Sequence, residues 1–173
     1  MHRSMKWRIG LILISWLSML GFDFFLHAGF LAKLYNRPSS FLLPAEEAFR
    51  RIPLGYLSFL VLAFILVWIT ERLEIRNWQN GFWLGLKLGA ILWGSFAAGL
   101  YSISTVKVDL LFGWWIGQTL ELGIAGIVVG AAMSGKRLKI LILWVLLFVA
   151  LLIIATIALQ TVGFAPPMKR VGG

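Results

Sequence analysis

An acidic and a basic side chain stand four residues apart in the otherwise apolar run LILISWLSMLGFDFFLHAGFL, as Asp23 and His27. Because an α-helix makes one turn in 3.6 residues, both side chains lie on the same helix face. A carboxylate beside an imidazole holds the ring in one tautomer, which is the arrangement that general bases and proton relays use. The spacing therefore predicts proton chemistry or ligand binding at this pair.

Two further ionisable residues, Lys87 and Glu121, interrupt later apolar runs. A charge at the centre of a bilayer costs roughly 2.5–3.5 kcal/mol on insertion scales, so such groups are expected to face inward, pair or neutralise. At a rise of 1.5 Å per residue, Lys87 lies about 13 Å and Glu121 about 16 Å into their segments. Their matched depth makes an ion pair between two neighbouring helices geometrically reasonable. The alternative for Lys87 is that its side chain extends to the membrane interface.

Together with nearby polar side chains, these residues define a predicted polar cavity within the membrane. Its expected lining is Asp23, His27, Lys87, Tyr101, Gln118 and Glu121. The alternative interpretation is an internal hydrogen-bond network that fixes the register of the helices.

Known catalytic signatures are not found in the chain. It contains no HExxH, P-loop, GxSxG or dinucleotide motif, and it has two histidines and no cysteine. Disulfides, thiolate metal sites and cysteine nucleophiles are therefore excluded. Asp23, His27 and Glu121 could together ligate a divalent cation, but their spacing is unspecific. We therefore expect no metal and no cofactor.

The composition indicates which elements must position these groups. Of 173 residues, 60% are hydrophobic and 13% are charged, and the mean hydropathy is +0.89, whereas soluble domains have about a quarter of their residues charged. The sequence predicts one all-α integral membrane domain over residues 1–173, a bundle of five transmembrane helices. The expected spans are residues 7–31, 52–70, 78–104, 110–133 and 138–160, with a disordered tail over 161–173.

The longest connection, AKLYNRPSSFLLPAEEAFRRIP, separates the first two spans. Pro44 suits the first turn of a helix, the following glutamates suit its N-terminal end, and Pro53 suits its termination. This pattern predicts a short interfacial helix, and a solvated loop is the alternative.

Glycines repeat every fourth residue in the third span, at Gly81, Gly85 and Gly89, and the fourth span is also rich in glycine. Because helices in a bilayer associate by close approach at small residues, these two spans are predicted to pack tightly. The alternative is a homo-oligomer, or a complex with another membrane protein, that forms through one glycine ridge.

The lipid bilayer is the expected partner. Nucleic acid is not expected as a partner, because the basic residues that give the chain its net charge of +9 flank the spans and suit lipid headgroups instead.

The distribution of basic residues predicts a cytoplasmic N-terminus. Eight lysines and arginines fall on the N-terminal side of the predicted spans and seven on the other side. Those in the shortest loops and closest to the first span weigh most, and they favour the N-terminus inside.

Three stretches, DFFLHAGFLAKLY, GFWLGLKLGAILWG and GWWIGQTLELGIAGIVVG, resemble a group of small, uncharacterised bacterial multi-pass membrane proteins. In that group the first span has an acid-x-x-x-His pattern followed by a tyrosine, and a later glycine-rich span contains a glutamate. The matching positions are Asp23, His27, Tyr35, Trp115, Glu121, Ala125, Gly126 and Gly130, within residues 15–133. The resemblance implies a multi-pass protein of the bacterial inner membrane and no known activity.

Three functions are compatible with these features. The first is a membrane protein that binds or transports a small molecule, a lipid headgroup or a proton at the polar site. The second is a structural subunit that assembles through its glycine-rich helices. The third is a membrane enzyme in which His27, oriented by Asp23, acts as general base and Glu121 as a second acid or base.

Overall fold

The computed structural model describes residues 3–35, 37 and 40–166, and this part of the chain contains helices and no strands. The helices are α1 (Met5–Phe25), α2 (Ala32–Tyr35), α3 (Ala45–Arg72), α4 (Trp78–Ile103), α5 (Val108–Met133) and α6 (Leu138–Thr161). A π-helical turn over Leu26–Phe30, called the π segment below, continues α1. Five of the helices are long and apolar enough to cross a membrane. The predicted fold class, an all-α bundle of five such helices, is confirmed.

The helix α5 lies at the centre of the bundle. In its most apolar stretch 67% of the residues are buried, against 11% in the corresponding stretch of α4. It packs against α1, α3 and α4, whereas α6 packs mainly along α1. A polar side chain on α5 is therefore held inside the bundle, and one on the outer face of α4 is not.

The close packing of α4 and α5 depends on glycine. A β-carbon added to Gly81 would collide with the carbonyl oxygen of Gly126, and one added to Gly85 would collide with that of Leu122. Only glycine allows the two backbones to approach this closely. The predicted tight packing of the third and fourth spans is confirmed.

The predicted interfacial helix does not form a separate element. Pro44 occupies the N-cap position of α3, and the helix continues through Pro53 to Arg72. Proline removes one backbone donor but is tolerated in membrane helices, where water or neighbouring groups bond the freed carbonyl. The first two turns also carry the ion pairs Glu46–Arg50 at 2.7 Å and Glu47–Arg51 at 2.5 Å.

Part of the predicted disordered tail is ordered. After α6 ends, the chain turns back, so that the ring of Phe164 lies 6.1 Å from that of Phe30. Ala165 is buried, and its backbone N–H donates to the carbonyl of Leu159 at 3.0 Å. The rest of the predicted tail, residues 167–173, lies outside the described residues.

Candidate functional site

Asp23 and His27 form the predicted pair. Nδ1 of His27 lies 2.8 Å from a carboxylate oxygen of Asp23 and 3.0 Å from the Asp23 carbonyl oxygen. Because both oxygens are acceptors, Nδ1 is the ring nitrogen that donates to them. The side chain of Asp23 is 13% exposed, and that of His27 is 27% exposed. The pair is thus shielded from its surroundings without being sealed off.

The backbone around His27 is irregular, because His27 is the second residue of the π segment. The N–H of Leu31 donates to the carbonyl of Leu26, five residues earlier, at 2.7 Å. From α6, Nε2 of Gln160 donates to the carbonyl of Ala28 at 3.1 Å. Single π-helical turns inside α-helices occur frequently at functional sites. The π segment is therefore a reason to look for a functional site at this end of α1 that does not depend on the side chains of Asp23 and His27.

A residue of α5 joins the pair. Nε2 of Gln118 donates to Oδ1 of Asp23 at 3.3 Å, and Gln118 is buried. One residue earlier on α5, Gly117 leaves the space that the side chain of Leu26 fills. The glycine thus lets α1 approach α5 closely enough for the amide to reach Asp23.

Glu121 lies one helical turn after Gln118 on the same face of α5. Its side chain is fully buried, and neither of its carboxylate oxygens makes a hydrogen bond of normal geometry among the described residues. The side chain of Gln118 is the polar group that interacts with it. A buried acceptor without a partner costs about 1–3 kcal/mol, and more when it is charged. Protonation removes the charge and with it the larger part of this cost, and it leaves a buried neutral carboxyl group. We call Asp23, His27, Gln118 and Glu121 the acidic cluster.

The structure adds two aromatic residues that the sequence interpretation did not include in the site. The ring of Tyr35, on α2, lies 5.1 Å from that of His27, and Nε1 of Trp114 donates a hydrogen bond to the Tyr35 hydroxyl. Burial raises the pKa of Tyr35, so the phenol stays neutral. The sequence feature that could have indicated Tyr35 as a site residue is its position, eight residues or about two helical turns after His27.

Lys87 does not belong to this cluster, and the predicted Lys87–Glu121 ion pair is wrong. Lys87 is exposed on α4, and no ion pair involves it in the described part of the chain. The physical reason is rotation about the helix axis. Gly85 and Gly89 face α5, and a residue two positions from each points about 200° away from them.

Tyr101 is also outside the cluster. It is 60% exposed and lines a groove between α4 and α5 that has a volume of about 440 Å³. None of the residues of the acidic cluster lines this groove. The predicted cavity lining is therefore divided: four of its six residues lie on α1 and α5, and the other two face outward on α4.

The arrangement suits proton binding better than metal binding. No group of three His, Asp or Glu residues placed to hold a metal ion occurs within residues 3–35, 37 and 40–166. The alternative of a divalent cation on Asp23, His27 and Glu121 thus has no support from the geometry. Comparison with known proteins provides no relative, because no family model, no curated protein and no solved structure matches this chain.

Proposed function

We propose that this chain is a multi-pass protein of the bacterial inner membrane that binds a proton at Glu121 and exchanges it with one membrane surface through Asp23 and His27. The observation that carries the proposal is the state of Glu121, which is completely buried and makes no hydrogen bond of normal geometry among the described residues. An ionisable group in such a position within a membrane helix is a functional candidate by default.

A proton fits this position better than a larger ligand does. Glu121 has no exposed surface, and the 440 Å³ groove is lined by other residues. A metal ion would need several oxygen or nitrogen ligands around it. A proton needs neither a cavity nor further ligands, and it removes the charge, which is the largest part of the cost of burying the carboxylate.

The polar groups continue from Glu121 in one direction. Gln118 comes before Glu121 on α5 and is therefore closer to the α5 N-terminus, and it is bonded to Asp23. His27 follows Asp23 toward the end of α1, and Tyr35 follows on α2. This order supports exchange at the membrane surface opposite the chain's N-terminus, which is the periplasmic surface if the N-terminus is cytoplasmic.

The other two functions have less support. Gly81, Gly85 and Gly89 already pack against α5, so this ridge is not available to a partner subunit. For an enzyme, a substrate would have to reach both His27 and Glu121, and Glu121 is inaccessible.

Proton flux into liposomes tests the proposal. The purified protein is reconstituted with a pH-sensitive dye inside, and a potassium diffusion potential drives protons inward. We expect flux above the protein-free level, and we expect Glu121→Gln to remove at least nine tenths of it, because an amide cannot release a proton. Asp23→Asn is expected to slow the flux, because it changes the exchange path but keeps the proton-binding carboxylate of Glu121.

The matched control is Glu47→Gln, since Glu47 lies at the exposed start of α3. Infrared difference spectra separate binding from transport, because a protonated carboxylic acid has its own carbonyl band. We expect Glu121→Gln to delete one such band and Glu47→Gln to leave it. Equal flux and an unchanged carbonyl band in both variants would contradict the proposal.

A further inference from the structure

A concave site lies between the C-terminal part of α4 and the N-terminal part of α5. We call it the α4–α5 groove; it has a volume of about 440 Å³, which lies in the range of small-molecule and lipid sites. Its lining is almost entirely apolar and includes Gly94, Ala97, Ala98, Tyr101, Phe112 and Trp115.

The walls of the groove are held in place by contacts within the protein. Nε1 of Trp115 donates to the carbonyl of Ala90 at 3.0 Å, and the ring of Phe112 packs edge-on against Trp115 at 5.9 Å. A β-carbon added to Gly94 would lie 3.2 Å from the indole nitrogen, so a larger residue there would displace the ring. The groove is therefore preformed and does not depend on a ligand to open it.

The groove runs from the membrane boundary toward the bilayer centre. Val108, the first residue of α5, and Trp115 both line it. Seven residues of helix separate them, which correspond to about 10 Å of depth. This is the direction in which the acyl chains of membrane lipids lie.

A positive charge stands at the outer end of the groove. Lys107 directly precedes Val108 and is exposed, and it makes no ion pair among the residues that the structure describes. The nearby carboxylate of Asp109 is already paired with Arg37 at 2.6 Å. The hydroxyl of Tyr101 adds a polar group to the same lining.

We infer that the α4–α5 groove binds one acyl chain of an anionic phospholipid whose headgroup phosphate is held by Lys107. The apolar, preformed walls suit the chain, and the unpaired lysine at the boundary suits the charge of the headgroup. This site is separate from the acidic cluster, and the inference does not depend on proton binding at Glu121.

Native mass spectrometry of the full chain tests this inference. The protein is delipidated in detergent, and phosphatidylglycerol or phosphatidylcholine with identical acyl chains is added at increasing concentration. We expect one phosphatidylglycerol to bind more tightly than the others and more tightly than phosphatidylcholine. Lys107→Gln is expected to weaken this first binding event about five-fold, since a basic residue near anionic lipid contributes roughly 1 kcal/mol. Ala98→Trp, which fills the groove, is expected to remove it.

Two matched variants control for general effects on lipid binding. Lys139→Gln removes an exposed lysine at the start of α6, and Ala150→Trp adds the same bulk to an exposed position in the middle of that helix. If Lys107→Gln and Ala98→Trp change lipid retention no more than these controls, the inference is wrong. Equal retention of the two lipids, or occupation of the groove by a second copy of the chain seen as a dimer that Ala98→Trp dissociates, would also overturn it.

Discussion

At the scale of single residues, the two acids of the acidic cluster are in opposite situations. Asp23 accepts from His27 and from Gln118, so its carboxylate is compensated by hydrogen bonds. Glu121 is more deeply buried and makes no hydrogen bond of normal geometry within the described part of the chain. A buried group that lowers stability and has no compensating hydrogen bond of normal geometry is typical of a functional site.

Replacing Glu121 by leucine is predicted to stabilise the protein. The substitution removes a buried carboxyl group that makes no hydrogen bond of normal geometry, and it places an apolar side chain of similar size at this buried position. We expect the free energy of unfolding to rise by about 1–3 kcal/mol, seen as a higher midpoint of thermal unfolding in detergent. The same variant is expected to carry no protons.

The comparison for this prediction is Asp23→Leu. That change leaves the amide of Gln118 without its acceptor and leaves the imidazole of His27 with only the backbone carbonyl of residue 23, so it is expected to lower the unfolding midpoint. If Glu121→Leu destabilised the protein as much as Asp23→Leu does, Glu121 would be a structural member of the bundle, and the cost assigned to its burial would be wrong.

At the scale of helices, the α4–α5 pair is the tightest contact of the bundle. Its two backbones meet at Gly81, Gly85 and Gly89 on α4, and opposite them lie Gly126, the Leu122–Gly123 segment and Thr119. Because lipid tails are as apolar as leucine, this contact is stabilised by close van der Waals packing. It also fixes the rotation of α5, which determines that Gln118 and Glu121 point toward α1.

Gly85→Leu is predicted to separate these two helices. The new side chain would collide with the carbonyl of Leu122, and backbone cannot move aside as a flexible side chain does. We expect a loss of about 1–3 kcal/mol or more in stability, measured as a lower unfolding midpoint. Gly99→Leu, on the same helix, is the matched control, because nothing lies within 4 Å of its β-carbon position. Equal stability of the two variants would contradict the role of the ridge.

The helix scale also shows what could be predicted from the sequence. The number of spans and the glycine contact follow from hydropathy and from spacing alone, and the Asp23–His27 pair follows from an i, i+4 relation. The Lys87–Glu121 pair was wrong because matching depths do not determine helix rotation. The same glycine ridge could have indicated this, since Lys87 lies on the opposite side of α4 from it. Pro53 likewise does not end a helix, because α3 continues through it and proline is tolerated in membrane helices.

At the scale of the whole molecule, the site depends on contacts between distant segments. Gln118 and Asp23 are 95 residues apart, and Trp114 and Tyr35 are 79 apart. Neither contact leaves a local pattern in the sequence. The bond from Gln118 to Asp23, the burial of Glu121 and the π segment therefore required the three-dimensional arrangement of the helices.

The arrangement of the helix ends determines which loops share a membrane surface. Arg8, near the start of α1, pairs with Glu71, at the end of α3, at 3.0 Å, and Arg37 pairs with Asp109 at the opposite end of the bundle. The end that contains Arg8 also carries the basic α5–α6 loop with Lys136 and Arg137. Under the positive-inside rule, this end is expected in the cytoplasm.

Cysteine labelling tests this orientation directly, because the chain contains no cysteine of its own. Thr105→Cys and Lys136→Cys place one thiol in each of the exposed loops at the two ends of the bundle. In right-side-out spheroplasts, we expect a membrane-impermeant maleimide to label Cys at position 105 and not at position 136. Inverted vesicles are expected to give the opposite pattern. Labelling of position 136 alone in spheroplasts would reverse the orientation, and the Asp23–His27 end of the acidic cluster would then exchange its proton with the cytoplasm.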